Sequence, residues 1–252
     1  VGKTTVTANL SVSLSLLGKK VIAIDTDIGL RNLDVVMGLE NSIVYNIVDV
    51  IEGNCRLKQA IIRDKRFRNL YLLPSAQSKD KSCINQYQMI NLTNELKQKF
   101  DYVLIDCPAG IEQGFKNAIA GATRAIIVTT PEVSAIRDAD RVSCLLDKAG
   151  LYPINLIVNK IRNDLVKKGD MMSTDDVTEI LSLDLIGMIH DDTDIVISTN
   201  RGEPLAGANS YSSKIFMNIA KRIDGEEVPM LNHKNRKFNF FKKYLTGGFQ
   251  NV

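Results

Sequence analysis

Gly2, Lys3, Thr4 and Thr5 stand together in the string VGKTT, and Asp25, Asp27 and Asp106 follow further along the chain. A glycine, a lysine and a hydroxyl in that order match the end of the phosphate-loop pattern G-x-x-x-x-G-K-[ST]. In such a loop, backbone N–H groups at a helix N-terminus cradle phosphate oxygens. The lysine reaches the β- and γ-phosphates and the Thr4 hydroxyl binds Mg2+. Alone the string is weak, because Gly-Lys-Thr also occurs in surface turns. The aspartates strengthen it: Asp25 and Asp27 sit in DTDIG and Asp106 in IDCPAG, each string following an apolar run. Carboxylates there can hold Mg2+ through water and orient an attacking water. Taken singly, Asp25 and Asp27 would read as turn or helix-capping residues.

These residues need a scaffold that gathers them. Apolar, β-branched runs recur at 21–25, 70–74, 102–106, 125–130, 156–160 and 185–189. None alternates polar and apolar residues, which predicts strands buried on both faces. Three-to-four spacing predicts helices over 4–17, 89–99, 134–148, 173–181 and 210–223. Strand–helix alternation implies a doubly wound, mostly parallel α/β sheet with helices on both faces. The carboxyl ends of its strands share one edge, where ligands of such sheets bind. The first half of the phosphate loop and the strand feeding it lie outside this sequence, and that strand is expected to be central.

At 252 residues the chain suits one such domain, with no internal repeat. No apolar run approaches the length of a membrane-spanning helix. Cys55, Cys83, Cys107 and Cys144 stand far apart without a C-x-x-C pair, which argues against a zinc site or redox pair and for small buried apolar residues. The formal net charge is +3, yet Lys234, Arg236, Lys237, Lys242 and Lys243 follow Leu231 with no acid, so residues 1–231 carry −2 by difference. A mildly acidic body is poorly suited to non-specific DNA binding. The chain is therefore expected to divide into a phosphate-loop domain (1–230) and a basic tail (231–252).

On a helix, Phe238, Phe241, Leu245 and Phe249 of the tail fall on one stripe, with Phe240 and Tyr244 widening it. Arg236, Asn239 and Lys243 lie opposite, beside Lys242. Gly247–Gly248 would end the helix, which leaves Phe249 outside its regular turns. This is the composition of an in-plane membrane anchor. It also fits a C-terminal helix packed on the body. Anionic lipid adds about 1 kcal/mol per nearby Lys or Arg, and so short a helix is marginal in water. Both points favour ordering on a membrane.

VGKTT, IDTDIGLRNLD (24–34), IDCPAG (105–110), TPEVSAIRDADR (130–141), KKGDMMSTDDV (167–177) and NRGEPL (200–205) together resemble the MinD family of septum-site-determining ATPases, within the wider deviant Walker-A group. The likeness runs in order over nearly the whole chain. It implies an Mg2+-dependent ATPase that dimerises with ATP. Lys3 would be the phosphate-loop lysine and Thr4 the metal-binding hydroxyl. Asp25 would help hold the Mg2+ shell, Asp27 would position or activate the hydrolytic water, and Asp106 would be the Walker-B carboxylate. Gly110 would let its loop approach the γ-phosphate and Asn159 would contact adenine. The family's second, trans-acting lysine opens its K-G-G-V-G-K-T-T loop, upstream of Val1. His190 departs from the family, which usually carries proline there.

The resemblance also implies a MinC-like inhibitor of FtsZ assembly, a MinE-like activator and an anionic membrane as partners, with Ser134, Asp138 and Asp140 on the partner-binding helix. The membrane would be a bacterial inner membrane, cytoplasmic face, or a plastid inner envelope, stromal face. Three other readings share the phosphate loop. A DNA-partitioning ATPase would need a basic body and no lipid-binding end, and an iron–sulfur carrier would need paired cysteines. A flagellar-number ATPase shares the logic of the tail.

Overall fold

Each of the six apolar runs forms a strand in the computed structural model, which describes residues 1–77, 79 and 83–231. The chain opens with α1 (Lys3–Leu16), β1 (Val21–Asp25) and α2 (Leu33–Met37), followed by α3 (Ile47–Ile51), α4 (Leu57–Ala60) and β2 (Ile62–Arg63). Next come β3 (Leu70–Leu73), α5 (Gln86–Lys97), β4 (Tyr102–Asp106), α6 (Gln113–Ala120), β5 (Ala125–Thr129) and α7 (Val133–Lys148). β6 (Ile154–Ile161), α8 (Asn163–Lys168), α9 (Thr174–Leu181), β7 (Asp184–His190), α10 (Thr193–Asn200) and α11 (Tyr211–Ile223) complete the described residues.

The strands form two segments, ordered β2-β3-β1-β4 and β5-β6-β7. All pairings are parallel except that of β2 with β3, which is antiparallel and was not expected from the strand–helix alternation. β2 is two residues long and closes a short hairpin onto the edge, so it leaves no periodic signal.

Helices cover both faces. α1, α2 and α11 pack on one face against Val21, Ala23, Leu70 and Leu72, and also against Ile157 and Ile189 of the second segment. One core therefore spans the two segments. α3 and α5 cover the opposite face of the first segment through Ile22, Ile24 and Leu73, and α7 and α9 cover the second through Leu156 and Val158.

α1 is enclosed almost completely, which explains its composition. Ser11, Ser13 and Ser15 are buried, and each hydroxyl donates back to a carbonyl of the same helix, those of Thr7, Asn9 and Val12. Small polar residues satisfied inside their own helix let it be surrounded without orphaned donors.

β4 and β5 face one another across a cleft of about 1380 Å3, lined by all five residues of each strand and by Val6 and Leu10 of α1. These two strands are less completely buried than β1. Among the described residues no helix is long and apolar enough to cross a membrane. The tail residues Phe238, Phe241, Lys242, Lys243, Tyr244 and Leu245 lie outside the described residues.

Candidate functional site

Register alone brings two of the aspartates together. β1 and β4 pair in parallel with Asp25 opposite Asp106, so both carboxylates end neighbouring strands at one edge. α1 starts at Lys3 beside that edge, and Gly2 ahead of it adopts φ 94°. A Cβ at Gly2 would come within 2.6 Å of the Asn159 carboxamide, so both conformation and space require glycine there.

Asp106 is 4% exposed. Thr7 Oγ1 donates to its carboxylate at 3.2 Å and the Thr4 hydroxyl also hydrogen-bonds to it. Burial pushes its pKa up to about 6, Asp25 adds to the rise, and Lys3 and the two threonines oppose it. The Asp106 carbonyl accepts from the Thr26 hydroxyl at 2.6 Å, which fixes the start of the loop after β1.

Asp25, 1% exposed, uses its carboxylate differently. One oxygen accepts from the Asp27 N–H at 2.9 Å; the other accepts from the N–H groups of Asn32 and Leu33, both at 3.1 Å. It therefore folds the 27–33 loop back on itself and receives the first turn of α2. Burial raises its pKa, against those backbone hydrogen bonds. Asp27 lies within that loop, and its carbonyl accepts from the N–H groups of Leu30 and Arg31, both at 3.2 Å.

β6 carries a bulge between Val158 and Ile161, with Lys160 at φ 55°. The bulge turns Asn159 toward the phosphate loop, where its Nδ2 donates to the Val1 carbonyl at 2.8 Å and its Oδ1 accepts from the Lys160 N–H at 2.9 Å. Lys160 stands next to Asn159 in that bulge, and Lys3 opens α1 directly after the loop whose pattern predicts phosphate. Gly110 sits in the exposed loop after β4 at φ 84° with open space around it.

The donor set fits Mg2+. Hydroxyl and carboxylate oxygens are the hard donors that ion takes, and the buried charge of Asp106 is what a cation would stabilise. Both oxygens of Asp25 already accept backbone hydrogen bonds, so a contact through water suits it better than direct ligation. Among the described residues no three His, Cys, Asp or Glu side chains form a cage. Mg2+ held on nucleotide phosphates needs none. Burial raises the Cys107 thiol to about 12, which suits a packed thiol rather than a reactive thiolate.

Lys3, Thr4 and Thr5 come from the start of α1 with Gly2 just ahead of it, Asp25, Asp106 and Asn159 from β1, β4 and β6, and Asp27 and Gly110 from the loops that follow β1 and β4. Ser134, Asp138 and Asp140 are exposed on α7. Ser134 and Asp138 border the mouth of the cleft, and Asp140 does not. Thr7, Thr26 and Lys160 were not singled out in the sequence. Thr7 could have been, since it lies one helical turn beyond Thr4 on the same side of α1.

The Asp106 charge has a measurable cost. Its pKa is higher in the folded chain, about 6, than the ordinary 3.8, so the folded state retains a proton between those values. Stability therefore falls as pH rises from about 4 to about 6 and stays lower above. Asp106→Asn is expected to raise unfolding stability at pH 8 by about 3 kcal/mol and to flatten that slope. Urea unfolding at pH 4.5 and 8 measures both.

A family model described as "AAA domain" matches residues 1–149. The septum site-determining protein MinD of Bacillus subtilis is 55% identical over 233 residues, covering 91% of this chain and 87% of that protein. A solved MinC:MinD cell division protein complex from Aquifex aeolicus has a chain 44% identical to this one, with a TM-score of 0.85 and coverage of 92% of this chain and 94% of that one. MinD from Pyrococcus horikoshii, solved in complex with Mg-ADP, is 32% identical with a TM-score of 0.81, covering 89% and 91%. The phosphate-loop fold, the acidic strand ends and these similarities lead to one conclusion: the chain belongs to the MinD family of septum-site-determining ATPases, whose role lies in division placement.

Proposed function

We propose that this chain is an ATP-driven, dimerising membrane switch that places the division site by recruiting an inhibitor of FtsZ-ring assembly. The observation that carries the reading is the convergence of the α1 N-terminus with Asp25, Asp27 and Asp106 on one sheet edge. Lys3 and the backbone after Gly2 would bind the β- and γ-phosphates, helped by the partial positive charge of the helix end. Thr4, Asp106 and, through water, Asp25 would hold Mg2+, which when bound neutralises phosphate charge. Asp27 would orient the attacking water, and Gly110 would let the loop after β4 approach the γ-phosphate. Asn159 would contact adenine while its hydrogen bond to Val1 ties the base pocket to the phosphate loop.

The exposed face of α7, with Ser134, Asp138 and Asp140, would bind a MinC-like inhibitor and a MinE-like activator of hydrolysis. The Aquifex aeolicus MinC:MinD complex supports the first of these. Residues 231–252 would form the basic amphipathic anchor on an anionic membrane, whether the cytoplasmic face of a bacterial inner membrane or the stromal face of a plastid inner envelope. One anchor binds weakly and reversibly; two on a dimer act at high effective concentration. ATP-dependent pairing would therefore convert nucleotide state into membrane affinity. The net −2 body argues against nucleic acid as the partner.

Sedimentation velocity tests the pairing directly. A shift from monomer to dimer with ATP and Mg2+, absent with ADP, is the expected result. A single species indifferent to nucleotide would remove the switch.

A further inference from the structure

α2 is only five residues long, yet both of its ends are fastened. At its start the Asp25 carboxylate takes the N–H groups of Asn32 and Leu33. At its end, Gly38 packs backbone to backbone on Gly202, which follows α10. A Cβ on Gly38 would lie 2.4 Å from the Gly202 carbonyl oxygen, and one on Gly202 would lie 2.7 Å from the Gly38 Cα. Both glycines also hold positive φ, 64° and 65°.

The guanidinium of Arg66 spans this junction. Nη1 donates to the Gly202 carbonyl at 3.0 Å, and Nη2 donates to the carbonyl of Met37, the last residue of α2. Nε and Nη2 also reach the two carboxylate oxygens of Asp64, at 3.1 and 2.8 Å. Asp64 is 1% exposed and its Oδ1 further accepts from the Arg66 N–H at 2.8 Å. A cation at a helix C-terminus is favoured by the helix dipole, and only a planar fork can serve a carboxylate and two carbonyls together.

The loop on the other side of the junction returns to the phosphate helix. Ala206 N–H donates to Asn9 Oδ1 at 2.9 Å, and Asn9 Nδ2 donates to the Thr5 carbonyl at 2.9 Å. A chain of contacts thereby runs from Thr5 through Asn9, residues 202–206, Arg66 and α2 to Asp25, whose carboxylate also holds the Asp27 N–H. Thr5 lies two residues after Lys3 on α1.

We propose that Arg66 is a positioning residue for ATP hydrolysis. By clamping the far end of α2 it fixes the loop that carries Asp27 relative to the phosphate helix. The inference rests on the reading of the Asp25–Asp27–Asp106 edge as the hydrolytic site. Its signature is a loss in turnover with ATP binding retained, since the clamp's hydrogen bonds reach α1 only at Asn9 and the Thr5 carbonyl and none is made to Gly2, Lys3 or Thr4.

The test measures kcat, KM for ATP and nucleotide Kd for Arg66→Lys and Gly202→Ala. The first keeps the charge and removes the fork; the second drives a methyl into the same junction. Each is expected to lower kcat about 10-fold or more, because small displacements remote from the chemistry cost up to about 100-fold, with Kd for ATP within about twofold. Their double variant should lose little more than either alone. Arg63→Gln, an exposed neighbour on the same hairpin, should match the unmodified protein. Asp27→Asn is measured alongside. If it loses turnover while Arg66→Lys and Gly202→Ala keep theirs, the clamp has no positioning role. If kcat and ATP affinity fall together in both clamp variants, Arg66 merely supports the fold and the proposal is overturned. If Asp27→Asn hydrolyses ATP normally, it is the reading of the site that fails.

Discussion

Lys3→Ala is expected to lower ATP hydrolysis by about 100- to 1000-fold, the usual cost of removing one charge donor aimed at a transition state. The expectation follows from where the residue sits. Lys3 opens α1, beside the edge where Asp25 and Asp106 end their strands. A cation at a helix N-terminus opposes the helix dipole, so the fold has no local reason to keep lysine there. Thermal stability should therefore be unchanged or slightly raised in the variant. That combination separates a functional lysine from a structural one. A variant that melts early, or one that turns over ATP normally, would show that the VGKTT string is an ordinary helix start.

Phe241→Glu is expected to abolish membrane binding while leaving hydrolysis and melting temperature unchanged. Burying a phenylalanine side chain contributes about 1.5–3 kcal/mol, and a glutamate cancels about 1 kcal/mol of the attraction between the basic tail and anionic lipid. The loss per chain is then about 2.5–4 kcal/mol. In a dimer both anchors lose it, so the bound fraction should fall by about 1000-fold or more. Co-sedimentation with vesicles containing a third anionic lipid measures it. If the variant instead melted early, the tail would be a helix packed on the body.

How much of this was legible in the sequence differs by element. The strands of the parallel sheet announced themselves because strands buried on both faces must be continuously apolar. α1, α5, α7, α9 and α11 were legible through their periodicity, within a few residues at each end. α2 and α3 were not, because five residues hold too little of a period to register. α10 was missed for another reason: Val196 and Ile197 are exposed on it, which blurs the apolar stripe.

The site divides in the same way. Strand-end aspartates could be placed on one edge from topology alone. Sequence could not reveal that Asp25 receives three backbone N–H groups, because that depends on how residues 27–33 fold back. For Asp25 the capping role and the proposed metal-shell role therefore coexist in one residue. Arg66 and Gly202 lie 136 positions apart, so no local pattern could have joined them. The antiparallel β2 and the Asn159 bulge likewise depend on neighbours distant in the chain.

The central claim is that nucleotide state sets membrane affinity. Co-sedimentation of the unmodified protein with anionic vesicles, in ATP with Mg2+ and in ADP with Mg2+, tests it most directly. Pelleting with ATP and release into the supernatant with ADP is the expected result. Equal pelleting with both nucleotides would make the tail a constant anchor, and no pelleting with either would remove the membrane from the mechanism altogether.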